Sequence, residues 1–322
     1  MKKAFSDQEQ SAETDEMLPE YDLSGGVRGK YARAFRQGYT VKVHHKDGTV
    51  ETRREEGNSL FRDYGYLSGQ AQKTAAEIES RHADFFELFY RSSSFAQRVL
   101  LDLHVPVRDT QKVIVAGLMA RLLEDSQGCT LLVKHGIANT APVALRSSFE
   151  SLVLLKMCCA DASFIGRFMD SDILRRLKLS RAVQKYAELD DEKEKERTLL
   201  ETELRAEVKA KNIKKPHIEE LACEAGLEGY YETIYRLTSS HAHVSPRSLE
   251  SYYRLRGGKV RELVFAPNDE ITDVYLYTLS DFLLIGAGCT GQLFALDRDR
   301  LVSEIRAEHG RLSPNWPKEF DE

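Results

Sequence analysis

Thr140-Ala-Pro-Val-Ala-Leu-Arg-Ser-Ser-Phe-Glu-Ser-Leu-Val-Leu-Leu155 is the stretch on which the fold class turns. Thr140 suits the cap of a helix, and Pro142 suits its first turn, where a missing N–H removes no helical bond. Leu145, Phe149 and Leu152 then recur at helical spacing and form one apolar stripe. The same pattern continues on both sides. Upstream, Thr110 reads as an N-cap, Val115, Leu118 and Leu122 share a face, and Gly136 reads as the stop. Downstream, Asp161 to Lys215 reads as helix throughout, thinning after Leu189 into a Glu/Lys-rich solvated arm or hairpin. Pro216 ends it, and a short helix closes near Gly226. A helix from Glu228 to His243 stops before Pro246, and a last apolar helix runs from about Glu270 to Leu296. The expected fold is an all-α helical bundle.

Two stretches break the helical period. Tyr39 to His45 alternates, Asp47-Gly48 turns the chain, and Thr49 to Arg53 continues, which is the pattern of a β-hairpin. Ser251 to Arg256 and Lys259 to Phe265 flank Gly257-Gly258 and read as a second hairpin. The expected plan is therefore a disordered acidic tail over 1–20, a small β segment over 21–57, a helical domain over 58–306 and a polar tail over 307–322.

Composition removes several functional classes. The formal net charge is −5, which excludes a wholly basic nucleic-acid coat protein but leaves room for a local basic site. The five cysteines form no C-x-x-C pair and mostly lie in apolar runs, so they read as core residues of a reducing compartment. No ligand spacing for zinc occurs, and neither a metal nor another cofactor is expected. The start of the chain is polar, without a signal peptide, and Val274 to Leu296 is interrupted by Asp281 and glycines. A cytoplasmic protein without membrane contact is expected.

Three constellations carry candidate chemistry. Gly286-Ala-Gly-Cys-Thr-Gly291 matches the glycine pattern of dinucleotide-binding turns, but residues 292–322 cannot supply the strand–helix units such a fold needs. Close helix–helix approach explains these glycines better. Arg146 and Glu150 lie four apart on an apolar helix, either as a structural ion pair or as groups that orient a site. Tyr235-Arg-Leu-Thr-Ser-Ser-His-Ala-His243 packs a guanidinium, three hydroxyl residues and two imidazoles near a helix end. Arginine suits bidentate phosphate binding and histidine titrates near neutrality, so the pair can cleave a phosphodiester without metal. A capped helix end, with His and Ser bonding backbone carbonyls, accounts for the same residues. Arg247, Arg254, Arg256, Lys259 and Arg261 follow, either as an RNA-binding patch or as the exposed face of a hairpin.

Three resemblances bear on these residues. Glu20-Tyr-Asp-Leu-Ser-Gly-Gly-Val-Arg-Gly-Lys-Tyr31, with Tyr39-Thr-Val-Lys-Val-His44, resembles a class of short bacterial proteins with the pattern E-Y-D-F-S-x-G-V-R-G-K-Y, many of them antitoxin-like. Leu23 replaces the usual Phe. That resemblance implies an in-built regulator over residues 21–57, or contact with a regulatory partner. Leu145-Arg-Ser-Ser-Phe-Glu150 and Tyr231-Glu-Thr-Ile-Tyr-Arg-Leu-Thr-Ser-Ser-His241 resemble DUF5677, an uncharacterised bacterial helical family, which implies a helical fold and no stated activity. Arg236-x4-His241 is similar to the R-x4–6-H motif of the HEPN ribonucleases, with Leu237 where those motifs usually carry Asn, Asp or His. It implies a homodimeric, metal-independent ribonuclease acting as a toxin or phage-defence effector. Arg236 and His241 would be catalytic, and Tyr235, Ser240, His243, Arg146 and Glu150 supporting. The rival expectation is a non-catalytic helical module that binds a protein or a nucleotide.

Overall fold

The Gly48 turn and its flanking strands form as the alternation predicts. In the computed structural model, which describes residues 39–45, 48–55, 60–186, 190–214, 216–238, 246–256, 259–296 and 299–312, the chain divides into two units, Met1–Ser59 and Leu60–Glu322. In the first, β1 (Tyr39–His44) pairs antiparallel with β2 (Val50–Glu55), Tyr39 opposite Glu55 and His44 opposite Val50. Gly48 supplies the positive φ of the turn, +84°. The acidic stretch 1–20 and the antitoxin-like motif 20–31 lie outside the described residues.

The second unit is helical. Its elements are α1 (Phe61–Tyr64), α2 (Gly69–Arg81), α3 (Ala83–Leu101), α4 (Thr110–Lys134), α5 (Ala141–Ala160), α6 (Phe164–Tyr186), α7 (Asp191–Ala210) and α8 (Ile218–Glu224). They continue with α9 (Glu228–Tyr230), a π-helical turn Tyr231–Tyr235, α10 (Pro246–Glu250), the hairpin β3 (Tyr253–Arg256) and β4 (Lys259–Leu263), α11 (Thr272–Leu293) and α12 (Asp299–His309). The apolar helix α11 is buried along most of its length and packs against α3, α4 and α5. Leu145, Phe149 and Leu152, the predicted stripe of α5, are all buried in this core.

Helix ends follow local chemistry. After α4, Gly136 takes φ +68°, its N–H donates to Val133 O at 2.9 Å, and Ile137 N–H donates to Leu132 O at 2.9 Å. These two bonds satisfy carbonyls that the helix leaves open. The other end of α4 departs from expectation. Asp109, not Thr110, is the N-cap, its carboxylate accepting from Lys112 N–H at 3.0 Å. Both residue types cap well, and only the backbone decides between neighbours.

Within 161–215 the described residues form two helices, the hairpin rather than the single continuous arm. α6 ends at Tyr186, and α7 begins behind Asp190, whose side chain accepts from Lys193 N–H at 2.9 Å. The hairpin they form is less solvated than its composition implies: Arg197 is 9 % exposed and Glu201 7 %, paired at 2.7 Å. Beyond Ala307, read as tail, α12 continues to His309, whose ring stacks on Tyr277 with centroids 3.8 Å apart.

The glycine-rich motif sits inside α11. A Cβ on Gly286 would lie 2.5 Å from Leu122 Cδ2 and 3.0 Å from Leu155 Cδ2, so Gly286 marks where α11 meets α4 and α5. Gly288 and Gly291 meet nothing within 4 Å. Cys129 and Cys158 are buried, Cys159 and Cys289 half-buried, and Cys223 exposed. Burial pushes the Cys158 thiol up to about 11 and Cys159 to about 12, the behaviour of inert core thiols.

Candidate functional site

The helix that carries the motif begins behind Gly226, where α8 closes with φ +65° and Leu227 N–H donates to Ala222 O at 2.7 Å. One turn later the backbone widens. Arg236 N–H donates to Tyr231 O, five residues back, which defines a π-turn. Such turns break the i→i+4 ladder and recur at functional sites. Residues 236–238 return to α-helix, and buried Thr238 donates to Ile234 O at 2.8 Å.

The turn stacks a column of side chains. Arg236 lies with Cζ 5.9 Å from the Tyr231 ring centroid, and Tyr231 stacks on Tyr235 at 5.2 Å. Arg146, from α5, sits over the Tyr235 ring, 4.0 Å from its centroid. Tyr235 is buried and also packs on Phe149, which ties the column to the core. Its hydroxyl donates to Glu150 Oε1 at 2.8 Å and accepts from Arg146 Nη2. Arg146 Nε reaches Glu150 Oε1 at 3.3 Å. The structure thus brings Arg146, Glu150 and Tyr235 into one hydrogen-bonded triad. Burial, and then the Glu150 carboxylate, raise the Tyr235 hydroxyl well above the ordinary tyrosine range, so it stays a protonated donor. Arg146 Nη1 is buried without a hydrogen-bond partner among the described residues.

Arg236 is different in kind. Its side chain is 59 % exposed and pairs with Glu232 Oε2 at 2.5 Å, one helical turn back. The pair holds the guanidinium at the surface rather than in the core. Glu232 was not singled out from sequence, although its i,i+4 spacing to Arg236 is the signal that finds it. His241, Ser240 and His243 lie outside the described residues.

Residues 112–260 match the model of a family of unknown function, DUF5677. The matched stretch holds Arg146, Glu150, Tyr235 and Arg236. No curated protein and no solved structure matches the chain.

The downstream basic residues lie on α10 and on the second hairpin: Arg247 in α10, Arg254 and Arg256 in β3, Lys259 and Arg261 in β4. Arg254 Nη1 faces Glu262 at 3.4 Å, and Lys259 and Arg261 are exposed. Two further polar clusters carry no motif in sequence. Asp125 of α4 accepts from Arg121 and from Ser147 of α5, each at 2.8 Å. His82 faces Asp273 through Nδ1 at 2.5 Å and Asp269 through Nε2 at 3.1 Å, which pins the start of α3 to the start of α11. The Arg121–Asp125 pair has i,i+4 spacing within α4, but Ser147 and the His82 contacts join distant segments, which no local pattern announces. No group of histidine, cysteine and carboxylate side chains able to hold a metal occurs among the described residues, and no helix among them is long and apolar enough to cross a membrane.

Proposed function

We propose that the helical unit is a HEPN-like, metal-independent ribonuclease, working in the cytoplasm as a homodimeric toxin or phage-defence effector. Arg236 binds the scissile phosphate. His241 moves the proton of the attacking ribose 2′-hydroxyl, and the guanidinium stabilises the charge that develops on phosphate. Ser240 and His243 support them, and residues 21–57 restrain the activity. The observation that carries this reading is the exposure of Arg236 on a helix whose other arginine contact, Arg146 with Tyr235 and Glu150, is turned inward. An arginine buried among backbone carbonyls offers no approach to a phosphate. Arg236 is accessible, and its partner is an exposed carboxylate that a phosphate can displace.

One observation favours the rival, a non-catalytic binding module: the Glu232 carboxylate already neutralises Arg236. The experiment that separates the two is cleavage of a broad RNA panel by the full chain and by a chain lacking residues 1–57, in EDTA and in Mg²⁺. Cleavage that survives chelation is expected. Absence of cleavage from both chains under every condition retires the nuclease, and dependence on one divalent ion retires the mechanism.

A further inference from the structure

β4 has β3 on one side and no strand on the other among the described residues. Its residues are exposed from end to end. Past β4, Phe265 packs with Phe61 and Tyr66 in a three-ring cluster, with centroids 5.1, 5.4 and 5.9 Å apart. Tyr66 ties this cluster to the backbone by donating its hydroxyl to Ala266 O at 2.9 Å. Among the described residues of this unit, the large apolar side chains around it stay open to solvent. Leu67, Leu263 and Phe265 are 85 %, 69 % and 58 % exposed, and they line an open groove of about 670 Å³. Single exposed leucines are ordinary. Several large apolar side chains around one groove, beside an unpaired edge strand, mark a docking surface.

We propose that this groove takes an extended acidic peptide of a partner protein, which adds a strand to the free edge of β4. Alternate side chains of an added strand face one side, so every second apolar residue seats against Leu67, Leu263 and Phe265. Charge selects the residues between them. The described side chains of the hairpin include Arg254, Lys259 and Arg261 against Glu262 alone, while Arg62 and Asp63 at the groove lip offset each other. A bulge places Arg261 outside the pairing register: Arg254 opposes Glu262 and Leu255 opposes Val260, which leaves Arg261 without a strand partner and without a carboxylate among the described residues. Single-stranded RNA would use the same cations, but it stacks on open aromatic faces. Here two of the three ring pairs meet edge to face, at 87° for Phe61–Tyr66 and 81° for Tyr66–Phe265, and the most exposed apolar wall groups are leucines. Those features fit aliphatic and aromatic side chains of a peptide better than bases.

The test uses the full chain and a displayed library of peptides of about 6 residues, a common strand length. The library alternates glutamate or aspartate with leucine, valine or phenylalanine, and its control replaces the acids by lysine. Selected peptides are measured by fluorescence anisotropy. Acidic members are expected to bind. Leu263→Glu should weaken them by about tenfold or more, Lys259→Glu and Arg261→Glu by less, and hydrogen exchange over residues 259–265 should slow on binding. Leu263, Lys259 and Arg261 are exposed, so these variants should melt with the parent chain, which the same preparation checks. Selection of no peptide, or binding indifferent to Leu263→Glu, overturns the proposal. So does tight binding of a uridine-rich RNA that is lost with Arg261→Glu and kept with Leu263→Glu.

Discussion

Arg146 reaches from α5 to lie over the ring of Tyr235 at 4.0 Å from its centroid, and it also donates to the hydroxyl of that tyrosine. One buried phenol thereby holds two elements that lie about ninety positions apart in the chain. Tyr235→Phe keeps the ring and its stacking but removes the hydroxyl shared by Glu150 and Arg146. A loss of about 1–2 kcal/mol in urea unfolding is expected, because two half-buried partners lose their bond. Tyr235→Leu, which also removes the cation–ring and Phe149 contacts, should cost roughly 1 kcal/mol more. A neutral Tyr235→Phe would show that the ring alone anchors the turn.

The glycines of α11 separate close packing from nucleotide binding. Gly286→Val drives methyl groups into Leu122 and Leu155, both fully buried, and should destabilise by about 1–3 kcal/mol in thermal or urea melting. Gly288→Ala meets open space and should be neutral or stabilising by up to about 1 kcal/mol, since alanine favours helix. A phosphate-cradling loop would suffer at every glycine of the motif, and comparable losses at both positions would contradict the packing account.

How much of this was legible follows from what is local. The stripe of α5, the apolar run of α11, the Gly48 hairpin and the stops at Gly136 and Gly226 are written in short periods and turn residues, and they form where those residues stand. The break between α6 and α7 has no glycine or proline to announce it, only the capping Asp190. The π-turn at Tyr231–Tyr235 has no glycine or proline to mark it. Arg146 and Glu150 were visible as an i,i+4 pair. Their third partner, Tyr235, joins through tertiary packing that spacing cannot express.

The α6–α7 hairpin should respond to acid. Glu201 accepts from Arg205 Nε at 2.9 Å, Arg197 Nη1 at 2.7 Å and Arg181 Nε at 3.4 Å. The hydrogen bonds from Arg205 and then Arg197 hold its carboxyl down at about 2, against about 4.3 for an unperturbed glutamate. A depressed folded value means the unfolded chain takes up the proton first. The contribution of Glu201 is therefore complete above about pH 4 and drains away as pH falls toward about 2. Urea midpoints measured across that window should fall with acid in the parent chain and fall less steeply in Glu201→Gln. Parallel slopes would show that other carboxylates govern the acid limb.

The motif itself yields the sharpest contrast. Arg236 is exposed, so Arg236→Ala should leave helical content and melting temperature nearly unchanged whatever the residue does. Cleavage is the readout that discriminates. If Arg236 holds the phosphate, Arg236→Lys should be impaired as well, because a point charge cannot reproduce the two-pronged contact of a guanidinium. If His241 moves the proton, His241→Ala should lose about 10²–10⁴-fold in rate without unfolding. Glu232→Gln adds a third arm. It releases Arg236 from its carboxylate and should strengthen RNA binding if the arginine meets phosphate, with a steeper loss of affinity as salt rises. A surface ion pair of no functional consequence predicts none of these: Arg236→Lys would match the parent, and Glu232→Gln would leave RNA affinity where it was. Melting, RNA binding and RNA cleavage on the same four variants therefore decide whether Arg236 is a phosphate ligand or only the partner of Glu232.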